Sequence, residues 1–139
     1  MNNPLSARQI AAQWFERVWG HRDESAITEL MAPEACGLLE GGHICRGPVE
    51  FLGFFRTLVG VFPDLKVEVL DIVAEEEKAH VRWQAKGTHL GEGMGMKPTG
   101  TEQAFNGIAW FVVKAGRIVD GGDCWNLGGL LNRMAAAAV

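Results

Sequence analysis

The chain has 139 residues, of which 47% are hydrophobic and 22% charged, and its formal net charge is −4. This length predicts one domain, 1–139, with a single core. The acidic balance and the absence of a lysine or arginine run argue against nucleic-acid binding, and no apolar stretch is long enough for a membrane span. Three cysteines without C-x-x-C spacing (Cys36, Cys45, Cys124) and the lack of a signal-peptide pattern indicate reduced thiols in a cytoplasmic protein.

Two helices are predicted at the N-terminus. Ser6 and Gln9 have the spacing of a capping box, and apolar residues recur at helical spacing over 10–18. Asp23 is placed to cap a second, shorter helix, and Pro33 is expected to stop it. Both helices have one apolar face, so each should pack against a common core.

A short strand and a third helix follow. Residues 36–40 are apolar and precede Gly41-Gly42, which indicates a brief strand and a turn. Pro48 suits the first turn of a helix, because its missing N–H is unpaired there in any case. That helix should end before Pro63.

The second half of the chain has the period of strands. Four long strands are predicted at 65–71, 81–85, 104–113 and 117–126, with apolar residues alternating in the first two and present on both faces of the third. The acidic turn 75–77, the glycine-rich loop 91–100 and a tight turn at 114–116 separate them. One or two helical turns are expected at 127–134. Helices followed by an antiparallel meander predict an α+β fold with the helices on one face of the sheet.

The other face of the third long strand is also apolar, at Ile108, Trp110 and Val112. An apolar row of this kind needs a cover. A second copy of the same sheet is the simplest cover, so we expect a homodimer through the outer sheet face.

Several short motifs, taken together with their order and spacing along the chain, resemble one protein family, the SnoaL-like polyketide (ester) cyclases. The resemblance runs from about Ile10 to Leu131, and its pieces are Phe62-Pro63-Asp64, Val81-x-Trp83, Gly87-Thr88-His89-x-Gly91, Gly95-Met96-x-Pro98-Thr99-Gly100, Gly107, Gly116-Arg117-Ile118-x-Asp120 and Gly129-Leu130-Leu131. It implies the cone-shaped nuclear-transport-factor-like fold, a curved antiparallel sheet wrapped around helices with an apolar pocket.

The resemblance also implies a reaction. Such cyclases close a ring by an intramolecular aldol step without metal or nucleotide, using one aspartate on the last strand as acid and base. Counted from Gly116 of the turn, this residue is Asp123, and a second family position falls on Asn126. Polar residues of the founding cyclase correspond here to Gly107, Ala109 and Gly121, and these small residues suggest a bulkier or more apolar carbonyl substrate.

The orientation of Asp123 decides whether that role is available. Alternation puts it on one strand face with Val119, Gly121 and Trp125. If that face lines the pocket, desolvation would raise the pKa of the carboxyl toward neutrality. The alternative is a solvent-facing aspartate, which a bulge at Gly121-Gly122 could produce.

The remaining candidates are expected around that pocket. His89 ends the strand that carries Trp83 and is a candidate catalytic partner at the pocket mouth, or else a structural histidine. Asp120 is expected at the surface, and Glu40 and His43 near the pocket opening. The expected substrate-binding residues are apolar or small side chains, together with one amide: Trp14, Val18, Phe55, Leu58, Trp83, Gly107, Ala109, Phe111, Gly121 and Asn126.

No metal, flavin or nucleotide is expected. The four histidines are scattered through the sequence, and the glycine-rich loop precedes a strand instead of the helix N-terminus that a phosphate site uses. The function predicted first is a cofactor-independent cyclase or isomerase of secondary metabolism. The alternatives are a non-catalytic small-molecule binding protein, and a dehydratase or double-bond isomerase that uses Asp123 with His89.

Overall fold

Over residues 3–138, which a computed structural model describes, the chain forms four α-helices, one π-helix and six strands. The helices are α1 (Ala7–Gln13), which continues as a π-helix over Trp14–Gly20, α2 (Glu24–Leu30), α3 (Gly47–Val61) and α4 (Leu127–Ala137). The strands are β1 (Met31–Leu39), β2 (His43–Arg46), β3 (Lys66–Glu75), β4 (Lys78–Thr88), β5 (Glu102–Lys114) and β6 (Arg117–Trp125). The predicted α+β class is confirmed.

The helix starts follow from their capping residues. Ser6 Oγ accepts a hydrogen bond from Gln9 N at 3.2 Å, and Gln9 Oε1 accepts one from Ser6 N at 2.9 Å, so the predicted capping box is present. Asp23 caps α2 by accepting from Ser25 N at 3.1 Å. Pro48 lies in the first turn of α3, as expected.

The six strands form one curved sheet in the order β2-β1-β6-β5-β4-β3. The pairings of the predicted meander are antiparallel, but β1 pairs with β6 in parallel. The sequence predicted a shorter first strand and no β2. Pro33 lies inside β1, where the register with β6 is interrupted between Met31 and Cys36, so no ladder hydrogen bond is needed from its nitrogen.

The helices cover one face of the sheet and form a common core with it. Helix α1 packs on β3, β4 and β5, while α3 packs on β1 and β2. The core consists of buried residues from both layers, including Ile10, Val18, Phe55, Phe62 and Val81. No helix in the described part of the chain is long and apolar enough to cross a membrane.

Two of the family-like motifs meet at the junction between α3 and β4. The Asp64 carboxylate accepts hydrogen bonds from Thr88 N and Thr88 Oγ1, both at 2.7 Å. A β-carbon at Gly91 would overlap the Gly60 carbonyl oxygen, so the chain can pass the end of α3 this closely only because Gly91 has no side chain. These motif residues therefore fix the packing of α3 on the sheet.

Candidate active site

Asp123 lies on the inner face of β6. Its backbone partner on β5 is Ala109, which is buried. The bulge in β6 comes earlier than the sequence suggested: Val112 pairs with Asp120, but Val113 pairs with Ile118, so Val119 is the extra residue. Ile118 is therefore the buried residue that begins the inner face of β6, ahead of Gly121 and Asp123. The prediction that Val119 shares this face was wrong.

Two cavities lie between the sheet and the helices. The first has a volume of about 50 Å³ and the second of about 30 Å³. Of the described residues, Asp123 alone lines both. Its carboxyl group therefore forms part of the wall between them.

The Asp123 carboxyl has one hydrogen-bond donor. Trp83 Nε1 donates to Asp123 Oδ1 over 2.9 Å. Among the described residues no donor contacts Oδ2, and that atom is not among the fully buried polar atoms without a partner. Asp123 Oδ2 is therefore the oxygen that a bound molecule could reach.

Burial raises the pKa of Asp123 to about 7. The hydrogen bond from Trp83 lowers this pKa, and the nearby charge of Glu40 raises it. Removal of the carboxylate from water is the largest of these effects. A carboxyl with this pKa is present in both protonation states at neutral pH, as an acid–base catalyst must be.

Gly107 allows the indole of Trp83 to reach across the sheet. Strand β5 lies between β4 and β6, and Trp83, Gly107 and Trp125 pair in one row. A β-carbon at Gly107 would lie 2.9 Å from Trp83 Cζ2 and 2.6 Å from Trp125 Cβ. The expectation that Gly107 leaves room for substrate was wrong, because tryptophan side chains fill that space.

Comparison with known proteins identifies the family. The model of the SnoaL-like polyketide cyclase family matches residues 9–133. The chain belongs to this family. A comparison with the curated proteins gives no match.

Solved structures agree with this assignment. A candidate SnoaL-like polyketide cyclase from Jannaschia sp. CCS1 superposes with a TM-score of 0.87 at 19% identity, over 98% of this chain and 97% of that one. IdmH, a candidate polyketide cyclase from Streptomyces antibioticus, has 28% identity and a TM-score of 0.78, over 91% and 96%. AclR, a candidate hydroxylase from Streptomyces galilaeus, has 27% identity and a TM-score of 0.80, over 94% and 83%. The nuclear-transport-factor-like fold is thus confirmed, and the family supports a cyclase- or isomerase-type function.

The other predicted substrate-binding residues of this SnoaL-like protein divide into three groups. Four line the first cavity, namely Trp14, Ala109, Phe111 and Gly121, and two line the second, namely Leu58 and Trp83. Val18 and Phe55 are buried in the core but line neither cavity. Asn126 is also elsewhere, since it is exposed and caps α4 by accepting from Gly129 N at 2.8 Å.

His89 is not a partner of Asp123. It is fully buried, lines neither cavity, and its Nδ1 is 3.0 Å from Thr99 Oγ1. The strand row through Asp123 crosses β4 at Val81, so His89 lies eight residues beyond that row, roughly 25 Å along the strand. The expected position at the pocket mouth was wrong, because the ring holds the 89–99 loop closed against Thr99.

Much of the lining of the first cavity was not predicted from the sequence. The first cavity is also bounded by β1, β2 and α3, through Met31, Ala35, Cys36, Gly37, Leu39, Cys45 and Phe51. Burial raises the pKa of the Cys45 thiol to about 11, so this cysteine is not a nucleophile at neutral pH. These residues were missed because Pro33 was interpreted as the end of α2, whereas it lies inside a β1 that begins at Met31.

The acidic neighbours of Asp123 have separate roles. Glu40 follows β1, and its Oε2 accepts a hydrogen bond from Trp125 N at 2.9 Å. Asp120 is exposed, as expected, accepts from Gly121 N at 2.9 Å and reaches the edge of the first cavity.

His43 is exposed on β2. In the described part of the chain no group of three or more His, Cys, Asp or Glu side chains is arranged to hold a metal ion.

Proposed function

We propose that this protein is a cofactor-independent cyclase or isomerase in which Asp123 abstracts a proton alpha to a carbonyl group and an intramolecular aldol-type ring closure follows. One observation carries the proposal: a single carboxyl, with a pKa raised to about 7, stands between two apolar cavities. An apolar carbonyl compound is the class of substrate that such walls would accept.

The proposed reaction needs only one proton carrier. Asp123 Oδ2 takes the proton from the carbon next to the carbonyl, and the enolate carbon then bonds to a second carbonyl carbon of the same molecule. The oxygen of that second carbonyl takes the proton back from Asp123. Atoms and electrons balance, and the carboxylate is regenerated without an oxidant or reductant.

The substrate must displace side chains as it enters. Pockets for small molecules usually measure about 300–1,000 Å³, and these cavities measure about 50 and 30 Å³. In the first cavity Trp14 packs edge to face against Phe51 and Phe111, with ring centroids 4.8 and 6.3 Å away. Rotation of such rings would enlarge the cavity next to Asp123 and keep its walls apolar.

The test measures how fast the protein exchanges a proton next to a carbonyl group for deuterium. Wild-type protein is incubated in D₂O with an apolar 1,3-diketone, and incorporation of deuterium at the central carbon is followed by NMR. Asp123→Asn should slow the exchange by about 100- to 10,000-fold, the usual contribution of a general base. Asp71→Asn, the same change at an exposed position on β3, should leave the rate unchanged. Equal rates for wild type and Asp123→Asn would remove the acid–base role.

The rate should also depend on pH in a defined direction. The base form of Asp123 is the ionised carboxylate, and its pKa is about 7. Exchange catalysed by the free enzyme should therefore rise from pH 5 to pH 8 and level off above about pH 8. A rate that does not change between pH 5 and 8 would contradict a base with this pKa.

A binding protein without catalysis is the second candidate. Gly121 and Ala109 stand where the founding cyclase has polar groups, so Asp123 has no polar partner from these positions in the first cavity. Isothermal titration with the same diketone separates the two functions. Binding without deuterium exchange would favour a carrier, whereas binding with exchange that Asp123→Asn abolishes would favour the enzyme.

A further inference from the structure

Trp83 is held in place from three sides. Its ring lies against Phe105 and Trp125, with centroids 6.0 and 6.2 Å away, and it crosses β5 over Gly107. The residue is buried, with 6% of its surface exposed. A buried indole N–H normally has a hydrogen-bond acceptor, and here the acceptor is Asp123 Oδ1 at 2.9 Å.

This geometry makes the two oxygens of Asp123 unequal. Oδ1 is tied to the indole, while Oδ2 has no donor among the described residues and remains reachable. We propose that Trp83 is a positioning residue that fixes the Asp123 carboxyl through Oδ1 and so assigns Oδ2 as the oxygen that exchanges the proton. The inference rests on the proposed acid–base role of Asp123.

The hydrogen bond from the indole also lowers the pKa of the Asp123 carboxyl. A hydrogen bond to a carboxylate favours its charged form, whereas burial and the charge of Glu40, in the turn after β1, oppose ionisation of Asp123. The other titratable groups that share the first cavity with Asp123 are Asp120, Cys36 and Cys45. Without Trp83, Asp123 would be protonated over a wider pH range and free to rotate.

The decisive measurement is the titration of Asp123 by carboxyl ¹³C NMR, with Asp123→Asn used to assign the signal. Trp83→Phe removes the N–H donor and should move the titration midpoint upward by about one pH unit or more. Trp19→Phe removes an indole from the same second cavity with no hydrogen bond to Asp123, so it should leave the midpoint unchanged.

A second variant separates the donor from the ring. Replacing Trp83 by β-(3-benzothienyl)alanine keeps the bicyclic shape but has no N–H, so it should give the same upward shift with less loss of packing. It also keeps the test valid if Trp83→Phe does not fold. An unchanged midpoint in the benzothienyl variant would overturn the proposal.

Activity gives an independent readout. In deuterium exchange, the pH profile of Trp83→Phe should move upward with the NMR midpoint, and the maximal rate should fall by about 10- to 100-fold because the carboxyl is less well oriented. In an Asp123→Asn background the same change should cost no further activity. A further loss there would show that Trp83 acts without Asp123. If wild type catalyses no exchange, the proposed function fails, while the NMR comparison still decides whether Trp83 holds Asp123.

Discussion

At the scale of single residues, the acid–base role proposed for Asp123 has a consequence for stability. Its pKa is raised to about 7 in the folded protein, compared with an ordinary value of 3.8 for an aspartate in water. Between these values the folded state binds a proton that the unfolded state has lost, so the free energy of unfolding falls as pH rises from about 4 to about 7. Above that range the protein carries the full penalty of an ionised, mostly buried carboxyl. The raised pKa of this carboxyl therefore lowers the stability of the fold at neutral and alkaline pH.

The amide variant should reverse this penalty. Asparagine keeps an oxygen that can accept from Trp83 but cannot ionise, so Asp123→Asn should be more stable than wild type at pH 8, by about 1–3 kcal/mol. At pH 4 the two proteins should unfold at nearly the same urea concentration. Urea titrations at both pH values make the comparison, with Asp71→Asn as the control. A wild type that is more stable than Asp123→Asn at pH 8 would contradict the raised pKa.

At the scale of elements, the family-like motifs work as joints between helices and strands. Asp64 ties the end of α3 to Thr88, and His89 ties the end of β4 to Thr99. Leu90 N and Gly91 N both donate to Val61 O, at 3.1 and 3.2 Å. These contacts, which come from the motifs around Asp64 and Thr88, hold the layers together some distance from Asp123, so these two motifs account for the fold and not for a reaction.

Glycine-to-alanine substitutions should show that the close contact at Gly91 is needed for stability, whereas a glycine with open space around it is not. Gly91→Ala puts a β-carbon into the Gly60 carbonyl, which cannot move without disturbing the end of α3, so we expect a loss of about 3 kcal/mol or more. Gly53 lies within α3 with open space around it, and Gly53→Ala should instead stabilise the protein by about 0.5–1 kcal/mol. Thermal unfolding of the two variants gives the comparison. A Gly91→Ala protein as stable as wild type would mean that this close approach is not needed.

The sequence was sufficient for elements whose signal is local. The capping box at Ser6, the cap at Asp23 and the alternation in β4 each follow from neighbours in sequence, and all were confirmed. The parallel β1–β6 pairing joins segments more than 80 residues apart, so no local pattern shows it. The same holds for the site: alternation put Asp123 on one strand face with Gly121 and Trp125 but left open whether that face lines the pocket. The path of Trp83 across Gly107 requires three strands in register, which no local pattern shows.

At the scale of the whole molecule, a row of six ladder partners crosses every strand on the outer face of the sheet, and four of the six side chains are apolar. Ladder partners run from Ile44 through Leu38, Gly122, Trp110 and His80 to Val73. Ile108, beside this row, is 47% exposed, and Val73 is 63% exposed. We propose that a second copy of the chain covers this face, which is broader than the patch predicted from β5 alone.

Charge at the centre of this face should separate the copies. Wild type should be a dimer at micromolar concentration, and Ile108→Glu should be a monomer because a carboxylate would be buried without a partner in the interface. Val49, an exposed apolar residue at the start of α3, provides the control, and Val49→Glu should remain dimeric. Light scattering measures all three. A monomeric wild type would rule out this interface.

The parallel pairing of β1 with β6 also sets the order in which the molecule can assemble. Met31 pairs with Ile118 and Gly37 with Gly121, more than 80 residues apart in the chain. Contacts of such long sequence separation form slowly, because the loop between them must close first. During synthesis β1 can pair with β2 early, but it lacks its other neighbour, β6, until almost the entire chain has been made. The first cavity, whose walls come from both strands, is among the last parts of the protein to form, and the nascent chain exposes β1 as an unpaired edge for most of its synthesis.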